Sequence, residues 1–344
     1  MAGLYTTDRM LGVLQGLKRP ALFGLSFFPN LIEESSAEVH FDVEVEKRRI
    51  APFVHPLSQG KLVEALGEET RTFRPAYVKP KGRIDPERPL RRVAGEQLGG
   101  NLSPQQREVA LLAQQLADHR DMVMRRKEWM AMQVLRTGTV TVTGEGYPTK
   151  VVDFLRAAAH TKTLAGAARW GQAGISPVND VEDWCLEMQQ SAGAPVTDVI
   201  FEPVKAWRKF KADTAFRDAV DLRRAEPSAM GVNVGIDANL VAFRGTLGTV
   251  RLWTYQDWYF DEVTAQEEPF MPDNQVILVS RPGIEGMQLH GAILDANAGY
   301  MAAELWPSSW VENDPPVRFL MSQSAPLVVP KRPNATLAAV VSDD

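Results

Sequence analysis

Residues 73–92 read FRPAYVKPKGRIDPERPLRR. Seven Lys or Arg stand here against two acids, a net of +5, whereas the whole chain carries −5. Pro75, Pro80, Pro86 and Pro89 each remove a backbone donor and push the preceding residue away from helical geometry. A central strand is disfavoured for the same reason. The stretch is therefore predicted to be extended and irregular, and it is too charged for the chain's own core. With residues 51–72 as its partner it is expected to form a long two-stranded arm. Such a ribbon is marginal in water and needs another surface to lie on. Composition alone also allows a plain surface loop. A third reading is a nucleic-acid contact, since Phe73 and Tyr77 sit beside basic residues, although the prolines and acids dilute that pattern. The sharper reading is an arm laid on a neighbouring subunit, where Arg and Lys meet acidic patches. On it, Arg74, Lys79, Lys81, Arg83, Arg88, Arg91 and Arg92 are the expected polar contacts, and Phe73 and Tyr77 the apolar anchors.

The rest of the chain reads as a globular protein. Its 344 residues are 44% hydrophobic and 24% charged, enough for one large domain or two ordinary ones. Cys185 is the only cysteine, so an intrachain disulfide is impossible. No apolar run approaches the roughly 20 residues a membrane helix needs, and the opening MAGLYTTDRMLGVLQGLKRP does not read as a signal peptide. The net negative charge argues against general nucleic-acid binding.

Downstream of the ribbon lies the strongest helical pattern. Ser103, Pro104 and Gln106 form a capping box with proline at the first helical position. Val109, Leu112, Leu116, His119, Val123, Met130 and Val134 then recur at three- and four-residue spacing. A helix over 104–136 is about 50 Å long at ~1.5 Å per residue, long enough to be a spine that other elements cross. TVTVTGEGYPTKVVDF follows as a hairpin, and 156–178 reads as loop. Upstream, HFDVEVEKRRI alternates as a strand through Phe41, Val43 and Val45. From Asp180, which is expected to cap a helix ending at Gly193, the pattern becomes helix, buried strand (TDVIF) and a second helix. That second helix is expected to open at Pro203, with Val204, Trp207 and Phe210 on one side. Further strands are LVAFRG, VRLWTY, QVILVS, MQLHGAIL and the terminal VRFLMSQSAPLVVP. The overall class is α+β.

Catalytic constellations are poor. None of the five histidines, at positions 40, 55, 119, 160 and 290, stands in a zinc-binding spacing. His119 lies on the apolar stripe and reads as a packed residue. His119-Arg120-Asp121 matches a kinase tripeptide by letters only, and Gly144-Glu-Gly146 is better explained by a hairpin turn than by a phosphate loop. No G-x-S-x-G elbow supports a hydrolase triad. No enzyme activity, cofactor or metal is expected.

Several stretches together resemble the major capsid protein family typified by phage lambda's protein E. They are LYTT at 4–7, Tyr77-Val-Lys-Pro-Lys81 with Leu90-Arg-Arg92, Val140-Thr-Val-Thr-Gly-Glu145 and Phe201-Glu-Pro203 with Trp207 and Phe210. Asp221, Arg223 and Arg224, then Pro272-Asp-Asn274, Pro307 with Trp310, and Gln323-Ser-Ala-Pro-Leu327 follow in the family's order. Each motif is weak alone, but eight fall in sequence order over some 320 residues.

The resemblance implies the Hong Kong 97-type capsid fold. On it we expect an N-terminal arm (1–50), an extended loop (51–100) and a peripheral domain with spine helix and hairpin (101–178). An axial domain (179–308) and C-terminal strands returning to the peripheral domain (309–344) complete the chain. The implied role is structural: pentamers and hexamers of a tailed phage's icosahedral head, enclosing double-stranded DNA without sequence-specific binding. The arm and loop are expected to staple neighbours and to become ordered only on assembly. Scaffold, portal and decoration proteins are the implied partners, with no membrane, and the implied location is the virion capsid, assembled in the host cytoplasm. An encapsulin-like compartment and an intracellular hydrolase stand as alternatives.

Overall fold

The structure, a computed structural model, describes residues 7–16, 22–36, 38–44, 51, 59, 68–92, 96, 102–144, 147–218, 240–261 and 264–343. The expected LYTT opening, most of 51–67, the Glu145-Gly146 turn and the Asp221, Arg223 and Arg224 group lie wholly or mostly outside those residues.

The N-terminal segment is built into the subunit. Helix α1 (Thr7–Gly16) buries Met10 and Leu14 against Leu112 and Leu116. A short turn at Gly24–Phe27 follows, with Phe27 and Phe28 fully buried. Strand β1 (Asn30–Glu33) then lies parallel to residues 287–290. Residues 22–36 thus pack on their own subunit. Two phenylalanines need a core, and the Glu128 carboxylate accepts the backbone N–H groups of Gly24 and Leu25, each at 2.8 Å.

Strands β2 (Val39–Glu44) and β3 (Glu68–Phe73) pair antiparallel, from Val39 opposite Phe73 to Glu44 opposite Glu68. The partner of residues 68–73 is therefore 39–44. Among the described residues, 73–92 show no ladder with 51–72, the expected partner. Strand β4 (Lys81–Ile84) turns away and joins a different sheet.

Helix α2 (Pro104–Thr137) is the predicted spine. Its capping box is complete: Ser103 Oγ accepts from Gln106 N at 3.2 Å, and Gln106 Oε1 accepts from Ser103 N at 2.8 Å. Gly138 ends it at φ +69°, a left-handed turn that favours glycine. Of the predicted stripe, Leu112, Leu116, His119, Val123, Met130 and Val134 are buried. The hairpin β5 (Thr139–Gly144) and β6 (Tyr147–Asp153) follows as expected.

Next come β7 (Thr161–Thr163), α3 (Pro177–Ala192), β8 (Asp198–Phe201) and α4 (Ala206–Ala212). Ser176, not Asp180, caps α3, and Asp213 accepts the Val178 N–H at 3.0 Å beside it. Asp180 instead accepts from the Trp170 indole at 2.7 Å. Helix α4 opens at Ala206 rather than Pro203, because the buried Glu202 carboxylate takes the N–H groups of Lys205 and Ala206 at 2.7 and 2.9 Å. Val204 is left exposed outside it.

Strands β9 (Val241–Leu247), β10 (Val250–Tyr255), β11 (Trp258–Asp261), β12 (Gln266–Pro269), β13 (Gln275–Val279) and β14 (Gly286–His290) follow. The chain closes with β15 (Trp306–Val311), β16 (Arg318–Gln323), β17 (Pro326–Pro330) and β18 (Thr336–Val340).

The central sheet has the order β7-β18-β13-β8-β10-β9 and is covered on both faces. Ile200, Ile277 and Ala338 face a core shared with α2, while Val199, Phe201, Leu278 and Leu337 face α3 and α4. Two-sided burial is why VIF at 199–201 and VILV at 276–279 are unbroken apolar runs. Trp207 and Phe210 pack on Phe201, at ring separations of 5.4 and 4.6 Å. This one sheet takes strands from three sequence blocks expected to be separate, so the C-terminal strands divide: β17 lies along α2, and β18 enters the central sheet.

Candidate inter-subunit surface

The basic ribbon lies largely on its own chain. Phe73 ends β3 half-buried against the main core. Pro75 is buried. Tyr77 donates its hydroxyl to the Ala292 carbonyl and accepts from Leu294 N at 2.8 Å, and burial pushes its phenol pKa up. Val78 exchanges backbone bonds with Ser324 at 2.9 and 3.0 Å. Tyr77, the expected anchor on a neighbour, thus has its hydroxyl satisfied within its own chain.

Strand β4 then forms the edge of the sheet β15-β16-β4, with Lys81 opposite Met321 and Arg83 opposite Phe319. Alternation puts Ile84 and Leu320 inward against α1 and α2, and His119 Nδ1 lies 3.1 Å from Ser322 Oγ on that side. His119 is thus a packed residue, and burial lowers its pKa. The sheet comes close to α2 at Gly82, where a Cβ would sit 3.0 Å from Gln115 Oε1 and 3.3 Å from His119 Nε2. The outward face carries the cations. Lys81 Nζ lies 4.2 Å from the Phe319 ring centre and 5.2 Å from that of Trp310, and the two rings stack at 5.7 Å.

The ribbon's end is tied to the start of α2. Arg107 forks onto Glu96 at 2.9 Å and also reaches the carbonyls of Pro89 and Leu90 at 3.5 and 3.4 Å. Arg92 donates to the Glu96 carbonyl at 2.7 Å, and Arg91 pairs with Glu87 at 3.3 Å. Arg74, Lys79, Lys81, Arg83, Arg88, Arg91 and Arg92 are all exposed. The nine expected contact residues therefore separate. Phe73 and Tyr77 face inward, and the seven cations are exposed to solvent.

A hairpin with no counterpart among the expected strands carries the opposite character. Strands β11 and β12 pair Phe260 with Glu267 and Tyr259 with Glu268. Tyr259 turns inward, donating to Glu268 at 2.8 Å and accepting from the Trp129 indole at 3.3 Å. Trp258 and Phe260 turn outward, 40% and 62% exposed. The signal was present in WYFD and QEEP, a β-forming run and an acidic run close together. It was obscured because aromatic residues occupy both faces.

The remaining polar clusters hold the fold together. His160 Nδ1 donates to the Thr336 carbonyl at 3.0 Å, which leaves Nε2 to accept from Ser191 Oγ at 2.7 Å. A carbonyl stands where a hydrolytic triad has a carboxylate, and the contact ties the turn at 158–160 to α3 and β18. Asp198, fully buried, accepts from the Trp253 indole and from Arg251, both at 2.8 Å. Among the described residues no group of three or more His, Cys, Asp or Glu could hold a metal, and no helix is long and apolar enough to cross a membrane.

Comparison with known proteins places this architecture. The family model for phage major capsid protein E matches residues 6–341. The major capsid protein of Escherichia phage N15 is 29% identical over 334 residues, covering 95% of this chain and 96% of that one. The major capsid protein of Escherichia phage lambda is 28% identical over the same shares. Among solved structures, the putative capsid protein of a prophage of E. coli CFT073 superposes with a TM-score of 0.73 at 22% identity, over 98% of this chain and 99% of that one. With an α+β capsid architecture and a match running nearly end to end, the chain belongs to the phage major capsid protein E family.

Proposed function

We propose that this chain is the shell-building subunit of a tailed double-stranded DNA phage head. In this reading it closes into pentamers and hexamers that tile an icosahedral lattice, and its role is structural rather than enzymatic. The observation that carries the reading is the family match over residues 6–341. The run of cations at 74–92 on an acidic subunit supports it, because opposite charge on distinct patches favours association between copies. The rigid α2 spine and the doubly covered central sheet supply a subunit that keeps its shape, while exposed edges supply contacts that are individually modest and numerous.

Scaffold, portal and decoration proteins are the partners this role calls for, and the host cytoplasm is the place of assembly. The net negative charge suits a lumen across which DNA slides, since phosphates find few counter-charges there. The test is size-exclusion chromatography and negative-stain electron microscopy of the expressed protein. Megadalton particles or ring oligomers are expected. A small globular oligomer at every concentration and salt tested overturns the proposal. Shells filled with a cellular protein instead of DNA in the phage context favour the encapsulin-like alternative.

A further inference from the structure

We infer that the outward face of the β4-β16-β15 sheet docks the β11–β12 hairpin of a second copy of this chain. The inference rests on the reading that the chain assembles with itself, and it names the two surfaces that meet.

The sheet face is aromatic with a cationic margin. Trp310 is 38% exposed, Phe319 and Met321 are half-buried, and Lys81 and Arg83 lie on β4, the edge strand among the described residues. Trp310, Phe319 and Lys81 are already gathered into one ring–ring–ammonium stack. Holding three side chains in one arrangement before contact lowers the entropy lost on binding. Arg83 has an ion-pair partner in Asp85 at 3.4 Å, but both side chains remain more than half exposed, so the pair is weak and exchangeable.

The hairpin is the complement. Two strands alone are marginal in water, yet this pair turns Trp258 and Phe260 to solvent with Glu267 directly opposite Phe260. Its inner row of Tyr259 and Glu268 is fixed to Trp129 on the spine, so the outward row is presented on a rigid base. Arg125 reinforces that base by donating to the Trp258 carbonyl at 3.1 Å. Aromatic anchors framed by opposite charge are the composition of interface centres.

Both surfaces stay exposed within the subunit, so neither covers the other. Two different patches that complement each other make a head-to-tail contact, and that type of contact closes rings. A self-complementary patch would carry both charges on one surface. Here the cations are on one element and the carboxylate is on another.

The experiment uses the full chain under assembly conditions. Lys81→Glu and Glu267→Lys are made singly and together. Arg83→Cys and Phe260→Cys are made as separate variants in a Cys185→Ser background and then mixed. The single charge reversals are expected to keep the circular dichroism spectrum and Tm of the parent and to lower particle yield at least tenfold. The combined reversal is expected to recover most of that yield. Particles from the mixed cysteine variants should give a disulfide-linked dimer that neither variant forms alone. Particles that form normally in both single reversals, or particles without the mixed disulfide, overturn the docking and leave the shell reading standing. Failure of the parent chain to form particles overturns the shell reading itself, and this contact with it.

Discussion

Glu128 and Gly24 are 104 positions apart, yet the Glu128 carboxylate accepts the Gly24 N–H at 2.8 Å in the middle of the core. The same carboxylate takes the Leu25 N–H at 2.8 Å and the Tyr255 hydroxyl at 2.9 Å. One buried anion on the spine thus joins the N-terminal segment to the central sheet. A Cβ at Gly24 would meet Met132 Sδ at 2.9 Å and Glu128 Oε1 at 3.1 Å, so a larger residue there would displace those side chains.

Glu128→Gln is expected to destabilise the subunit by about 1–3 kcal/mol, because an amide presents one acceptor where three donors converge. Chemical denaturation of parent and variant measures it. The pH dependence has a definite sign. Burial raises the Glu128 pKa above its ordinary value of 4.5, so the folded state binds this proton more tightly than the unfolded state. Its contribution is therefore most favourable below that ordinary value and diminishes as pH rises toward the folded value. Glu128→Gln should remove this slope from the stability profile.

Arg156 closes the other end of the spine. Its guanidinium donates to the carbonyls of Leu135 at 2.9 Å and Arg136 at 2.6 Å, and to Thr161 Oγ1 at 2.7 Å. Burial lowers its pKa to about 10, still well above neutrality, so it stays charged. Arg156→Ala should cost about 2–3 kcal/mol by leaving buried carbonyls without a donor. Arg156→Lys should rescue only part of it, since an ammonium lacks the fork that spans two carbonyls. Urea midpoints of the three proteins decide the matter.

The two ends of α2 should differ in sensitivity. Ser103→Ala removes an exposed cap and is expected to cost about 1 kcal/mol. Gly138→Ala should cost more, because φ is +69° and the new Cβ would stand 2.6 Å from Arg156 Cβ. A thermal melt showing Gly138→Ala as stable as Ser103→Ala would contradict this account of the helix end.

Arg88→Glu with Arg91→Glu should leave the monomer's stability within about 0.5 kcal/mol, since both side chains are exposed and Arg91 has only a surface pair with Glu87. Assembly should weaken, and the salt dependence of assembly should become shallower. Light scattering across ionic strengths reads both. Deleting the whole ribbon is a poorer experiment, because it would strip β4 from β16 and Phe73 from the core.

Much of the scaffold was legible in local chemistry. Ser103, Pro104 and Gln106 mark the start of the spine, and the apolar stripe gives its buried face. TDVIF announces a buried strand and QVILVS a strand, and the prolines of 73–92 leave room for no more than a short 3-10 turn at Arg88–Leu90. The candidate surface was half legible. The cations of the ribbon could be named, but Phe73 and Tyr77 could not be assigned to the inside, because an aromatic beside basic residues looks the same whether it faces a neighbour or its own core.

The sequence by itself determined the extent of α2, the apolar faces and the segregation of positive charge, since each depends on residues within a turn or two of one another. Only the tertiary structure decided that β3 pairs with β2, that β4 pairs with β16, and that β18 lies between β7 and β13. Ladder hydrogen bonds are made by the same backbone groups in every strand, so they carry no address. Which strand meets which is chosen by the packing of the whole core.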